Sequence, residues 1–115
     1  MTTNTPSISL IISNLPADIA QEIAKTLISE HLAACVTLQP VQSVYRWEGK
    51  VCVDQEISMT AKVSEEVMQA TVKRLVELHP YDLPEILVLP VNAMQSLPAY
   101  LEWVQTECSL APSES

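Results

Sequence analysis

Apolar residues along this chain follow two spacings, one extended and one helical, and they alternate in a definite order. The first run, Ile8-Ser9-Leu10-Ile11-Ile12, is short, β-branched and apolar at nearly every position, as in a central strand covered on at least one face. Pro16 suits the first turn of a helix, where a missing N–H costs nothing. Ile19, Ile23, Ala24, Leu27 and Ile28 then form a helical stripe, with Asp18 and Glu22 early and Lys25 and His31 late, which complements the helix dipole.

A second extended region runs from Ala34 through Val36, Leu38, Val41 and Val44 to Trp47; Pro40 inside it predicts a bulge or an edge strand. Gly49, the only glycine, sits between two strand-like runs and predicts a tight hairpin turn. The return strand alternates cleanly. Val51, Val53, Ile57, Met59, Ala61 and Val63 point one way, while Asp54, Glu56, Ser58, Thr60 and Lys62 point the other. Ser64 reads as the N-cap of a second helix, with Glu65 and Glu66 in its first turn and Val67, Met68, Thr71, Val72, Leu75 and Leu78 as its buried stripe. His79-Pro80 ends that helix, because a residue preceding proline avoids the helical region. Ile86-Leu87-Val88-Leu89 predicts a fourth strand stopped by Pro90, and a last helix from Pro98, capped by Ser96, carries Tyr100, Leu101, Trp103 and Val104. The order is β-α-β-β-α-β plus a terminal helix. That order predicts an α+β sandwich of ferredoxin-like plan in a single domain over 1–115, with its core at about 8–107 and a frayed tail at 111–115.

Length and composition agree with this picture: 115 residues and 48% hydrophobic content suit one globular domain. The net charge of −8 argues against nucleic acid and anionic membrane surfaces as partners, since both recruit clustered Lys and Arg. The first residues lack the basic start and apolar stretch of a signal peptide, so the expected location is the cytoplasm. Three cysteines without a Cys-x-x-Cys spacing fit reduced thiols there. Cys35 reads as core packing, Cys52 lies on the polar side of its strand, and Cys108 is near the tail.

A single glycine excludes phosphate loops, dinucleotide fingerprints and a nucleophile elbow, and no nucleophile–base pair supports an enzyme. His31 reads as a cation at a helix C-terminus or as a plain surface residue. The most informative stretch is His79-Pro80-Tyr81-Asp82-Leu83-Pro84-Glu85. Two prolines within five residues stiffen the loop, which either turns the chain with Tyr81 plugging an interface or holds side chains in place for a ligand. His79 with Glu56, Asp82 and Glu85 offers imidazole and carboxylate donors of the kind that Cu(II) and Zn(II) accept. Lys62, on the same strand face as Glu56, suggests instead an ion-paired cluster at a subunit boundary.

Taken together, Leu32-Ala33-Ala34-Cys35-Val36, Tyr45-x-Trp47-Glu48-Gly49-Lys50, Glu56 with Lys62, His79-Pro80-Tyr81-x-x-Pro84-Glu85, Leu89-Pro90-Val91 and Tyr100-Leu101-x-Trp103 closely resemble the CutA family of divalent cation tolerance proteins. The likeness runs from about Ile8 to Val104. It implies a tight homotrimer like that of the P-II signalling proteins, with the long hairpin pairing across subunits and Tyr45, Trp47, Lys62, Tyr81, Pro84, Glu85 and Trp103 at the clefts between them. It also implies a non-enzymatic role in divalent-metal tolerance, with Cu(II) or another divalent cation bound weakly by His79 and Glu56. Some family members carry a cysteine where this chain has Ile12, which removes a soft ligand. The rival expectation is a trimeric small-molecule sensor or signalling scaffold with clefts between subunits.

Overall fold

A computed structural model describes residues 5–110; the tail expected to fray lies outside them. The elements are β1 (Ile8–Leu15), α1 (Ala17–Ser29), β2 (Cys35–Trp47), β3 (Lys50–Ser64), a short 3-10 turn (Glu65–Val67), α2 (Met68–Leu78), β4 (Leu87–Pro90) and α3 (Pro98–Glu107). All neighbouring strands are antiparallel and the sheet order is β2-β3-β1-β4, the order of a ferredoxin-like sandwich.

The alternation in β3 decides which face is covered. Met59, Ala61 and Val63 are fully buried and pack with Ile11 and Leu15 of β1 against Ile23 and Leu27 of α1 and Leu75 of α2. Positions of the opposite parity lie on the other face. There Leu10 pairs with Leu89 and Lys62, and Ile12 with Leu87 and Thr60. Much of this second face stays open: Leu87 is 54% exposed and Leu89 41%.

Beyond the helices, β2 and β3 continue as a hairpin arm. Its Val44, Trp47, Val51 and Val53 are exposed apolar side chains with no layer above them. The arm stretches the protomer to a radius of gyration of 15.6 Å, where a compact chain of this length has about 13 Å. At the tip, Glu48 (φ 50°) and Gly49 (φ 79°) both take the left-handed conformation, as a two-residue type I′ turn requires, and Trp47 faces Lys50 across it. A Cβ added at Gly49 would meet nothing within 4 Å. Gly49→Ala is therefore expected to cost about 1 kcal/mol from backbone strain alone, and Glu48→Asn to stabilise by a few tenths, because asparagine tolerates this region. Urea denaturation of the two variants at one protein concentration checks both.

Some local expectations fail, for physical reasons. Pro40 sits on an edge strand as predicted but makes no bulge: the register runs unbroken from Cys35↔Lys62 to Trp47↔Lys50. Ser64, the last residue of β3 and paired with Ile8, takes the cap position of the 3-10 turn that leads into α2, with Glu65 and Glu66 in that turn as expected, but its hydroxyl makes no capping bond. Ser96 likewise caps nothing, because its hydroxyl donates to the Asn92 carbonyl at 2.7 Å, and Leu97 takes the cap position. Cys108 is no incidental tail residue but part of the core at 2% exposure. Cys35 leaves the core instead: it opposes Lys62 on the open face and is partly exposed.

His31 has a structural task that its charge did not suggest. It takes φ 61° just past α1. Leu32 N–H bonds the Leu27 carbonyl (2.9 Å) and His31 N–H bonds that of Ile28 (3.0 Å), the two bonds of a Schellman stop. Its ring Nδ1 also lies 3.2 Å from the Glu107 carbonyl, tying the end of α1 to the end of α3.

Candidate functional site

The loop between α2 and β4 folds back over the open sheet face where the hairpin arm leaves the body. His79 ends α2 with extended dihedrals (φ −76°, ψ 131°) and its N–H still bonds the Leu75 carbonyl. From there its imidazole turns inward and is only 7% exposed. Nε2 lies 3.0 Å from the Asn14 carbonyl oxygen, and Nδ1 accepts the Tyr81 N–H at 3.3 Å. A carbonyl only accepts and an N–H only donates, so these partners select the neutral tautomer protonated on Nε2. The two rings lie 4.9 Å apart, tilted by 55°.

Tyr81, held in this way, donates its hydroxyl to Glu56 at 2.9 Å, joining the loop to β3. Burial, followed by the Glu56 hydrogen bond, pushes the Tyr81 phenol up to about 12. Tyr45 donates to Asp54 across the hairpin, and that bond is the first cause of its own rise to about 12. Asn14 closes the remaining side: its Nδ2 donates to Glu85 at 3.3 Å and to Ser43 at 3.4 Å.

These groups enclose a cleft of about 690 Å³ lined by Asn14, Ser43, Val44, Tyr45, Trp47, Asp54, Glu56, Tyr81, Asp82, Leu83 and Glu85. Four of the lining residues are carboxylates and none is basic. Such a lining repels anions and raises the local concentration of cations. Three aromatic rings in the wall add faces that also favour positive charge.

The residues singled out from the sequence therefore divide. Tyr45, Trp47, Glu56, Tyr81 and Glu85 meet around one cleft, and His79 stands directly behind it. Pro84 is not among the lining residues. Lys62 lies six positions along β3 from Glu56, about 20 Å at the rise of an extended strand. Within one protomer the two side chains do not meet, and Lys62 Nζ contacts Cys35 Sγ at 3.9 Å. Trp103 stacks on Tyr100 of α3, with ring centres 5.5 Å apart. Asn14, Ser43 and Asp54 escaped notice in the sequence. Asp54 shares the Glu56 face by simple parity and was within reach; nothing in the sequence marks the Asn14 carbonyl as the partner of an imidazole.

Desolvation lowers the His79 pKa from the ordinary 6.5, outweighing its bond to the Asn14 carbonyl and the Glu56 charge. The sign follows. As pH falls below 6.5 the unfolded chain takes up this proton before the folded one does. The stability that His79 confers is full above 6.5 and is lost as pH falls through its lower folded value. Melting temperature is expected to fall as pH drops below 6.5. His79→Gln should flatten that decline; an equally steep decline in the variant would assign it to other groups.

The fold and site define a class: a ferredoxin-like sandwich with a projecting hairpin and a carboxylate-lined cleft at its base. Known proteins share both pattern and shape. The family model described as CutA1 divalent ion tolerance protein matches residues 9–107. A divalent-cation tolerance protein CutA of Pectobacterium atrosepticum is 43% identical over 83% of this chain and 86% of its own length. That of Thermus thermophilus is 37% identical over 84% of this chain and 93% of its own. Among solved structures, a PII-like protein CutA from a Nostoc species superposes with a TM-score of 0.87 at 40% identity, covering 90% of this chain and 99% of that one. CutA of Xylella fastidiosa superposes at 0.83 with 41% identity, covering 89% and 98%. The chain belongs to the CutA family of divalent-cation tolerance proteins.

Proposed function

We propose that this chain serves divalent-cation tolerance in the cytoplasm as a homotrimer that binds cations weakly in the cleft at the base of its hairpin. The observation that carries the binding reading is the cleft wall: Asp54, Glu56, Asp82 and Glu85 with no lysine or arginine among them. The trimer reading rests on the open sheet face with its exposed Leu87 and Leu89, and on the unpaired edge strands β2 and β4, which are hazards in a free monomer. Three free cysteines, at 35, 52 and 108, are in keeping with a reducing compartment.

The donor set fits a loosely held cation better than a tight copper centre. Among the described residues no three His, Cys, Asp or Glu side chains converge closely enough to cage a metal. Glu56 and the other cleft carboxylates are hard oxygen donors. For His79 to join Glu56 as a ligand, the ring must give up either the Asn14 carbonyl or the Tyr81 N–H. No thiol stands at Ile12 to add a soft ligand.

Calorimetric titration of the assembled protein with Cu(II) and Zn(II) tests this reading against Glu56→Gln and His79→Ala. Glu56→Gln is expected to weaken binding about tenfold. Unchanged affinity in both variants removes the cation from this cleft. The second reading, a small-molecule sensor, is favoured by the cleft's size, about 690 Å³, within the range of metabolite sites. A thermal-shift screen with small organic cations examines it, because a ligand of the native state alone raises the melting temperature.

A further inference from the structure

Three of the four cleft carboxylates accept a hydrogen bond from a side chain of the protein: Asp54 from Tyr45, Glu56 from Tyr81 and Glu85 from Asn14. The first joins the paired strands of the hairpin, and the third comes from a neutral amide at 3.3 Å. The Tyr81 bond is different. It measures 2.9 Å and ties the loop after α2 to β3, across 25 positions of sequence.

The hydroxyl is not needed to place Tyr81. Its backbone N–H is held by the His79 Nδ1 at 3.3 Å, and its ring lies 4.9 Å from the imidazole. His79 is fixed in turn against the Asn14 carbonyl at 3.0 Å. Tyr81 is 40% exposed, and from this seat its O–H reaches the Glu56 Oε2. With its phenol pushed up to about 12, Tyr81 stays protonated at neutral pH, so Glu56 meets the positive end of an O–H dipole rather than a phenolate. A proton donor and a divalent cation seek the same carboxylate lone pairs.

We propose that the Tyr81 hydroxyl is a built-in competitor for the ligand of the cleft: it occupies Glu56 in the empty protein and yields that carboxylate when a divalent cation binds. The proposal rests on the cation reading of the cleft and gives that reading its regulation. Binding at Glu56 is then an exchange of partners, and the charge-assisted bond given up lowers the net affinity. The phenol released by the cation turns to solvent, and the loop loses this bond to β3 while its links to Asn14 remain. Occupancy of the cleft is thereby passed to the 79–85 loop. Tyr81 acts through Glu56 and is a positioning residue.

The test is calorimetric titration of the assembled protein with Zn(II), comparing wild type, Tyr81→Phe, Glu56→Gln and the double variant. Tyr81→Phe keeps the ring and the backbone contacts and removes only the competing proton. It is expected to bind zinc about threefold more tightly than wild type, or better. A hydroxyl that merely braces or orients the site would leave affinity unchanged, or lower, once removed. In the Glu56→Gln background the same substitution should change affinity by less than about twofold, because the contested carboxylate is gone. Equal or weaker binding by Tyr81→Phe, or an equal gain in both backgrounds, overturns the competition; if Glu56→Gln still weakens zinc binding, the cation reading survives that result. Zinc that binds neither wild type nor Tyr81→Phe removes both. Should Tyr81→Phe fail to fold, nuclear magnetic resonance of wild-type protein with isotope-labelled tyrosine decides. The Tyr81 Cζ resonance, assigned by elimination with Tyr45→Phe and Tyr100→Phe, must move with the midpoint of the binding heat, and a resonance that stays in place overturns the proposal.

Discussion

Ile12→Asp is expected to convert the assembled protein into folded monomers at micromolar concentration. Ile12 lies in the middle of the open sheet face, paired with Leu87 on one side and Thr60 on the other. In a free protomer the side chain is only half-buried, so a carboxylate there keeps contact with water and the fold survives. Within an assembly that covers this face, the same carboxylate is dehydrated without a partner, at a cost of several kcal/mol for each copy. Sedimentation velocity reads the change as a fall in mass to one-third, with circular dichroism retained. Gln69→Asp, on the exposed outer side of α2, serves as the control and should leave the mass unchanged. A wild-type protein that sediments as a monomer defeats the assembly reading outright.

Leu27→Ala carries the second large effect. Leu27 is fully buried on the inner side of α1, packed in the cluster that includes Ile11, Met59 and Leu75. Removing its isobutyl group leaves a cavity that rigid strands cannot close, so a loss of about 3 kcal/mol is expected. Its neighbour Ile28 is 40% exposed although the helical stripe included it, and Ile28→Ala should cost less than about 1 kcal/mol. Denaturation at matched protein concentration compares the two, since dissociation and unfolding are linked in an oligomer. Equal losses at both positions would mean that α1 presents a different face to the sheet.

What the sequence revealed depended on how local the responsible physics is. The alternation in β3, the stop at His79-Pro80 and the turn at Gly49 are each determined within a few residues, and all three stand in the structure. Ser64 and Ser96 carried good local cap signals whose bonds do not form: Ser64 is still paired with distant Ile8, while the Ser96 hydroxyl turns to a competing local partner, the Asn92 carbonyl four residues earlier. The candidate site was legible in its residue types and only partly in its grouping. Parity placed Glu56 and Lys62 on one face, but parity says nothing about distance along a strand. Cys35 read as core because its neighbours are apolar; the register that sets it opposite Lys62 exists only once the hairpin closes. His79 drew notice as a donor, yet its environment depends on a backbone carbonyl 65 positions away, which no sequence motif encodes.

The distinction between cation cleft and structural brace therefore turns on Glu56 and its neighbours. An anomalous difference map from crystals soaked in Zn(II) decides it most directly. The account predicts a peak within coordination distance of the Glu56 carboxylate, inside the cleft walled by Asp54, Tyr81 and Glu85, and no such peak in crystals of Glu56→Gln. Zinc bound only outside that cleft, or an unchanged peak in the variant, would contradict it.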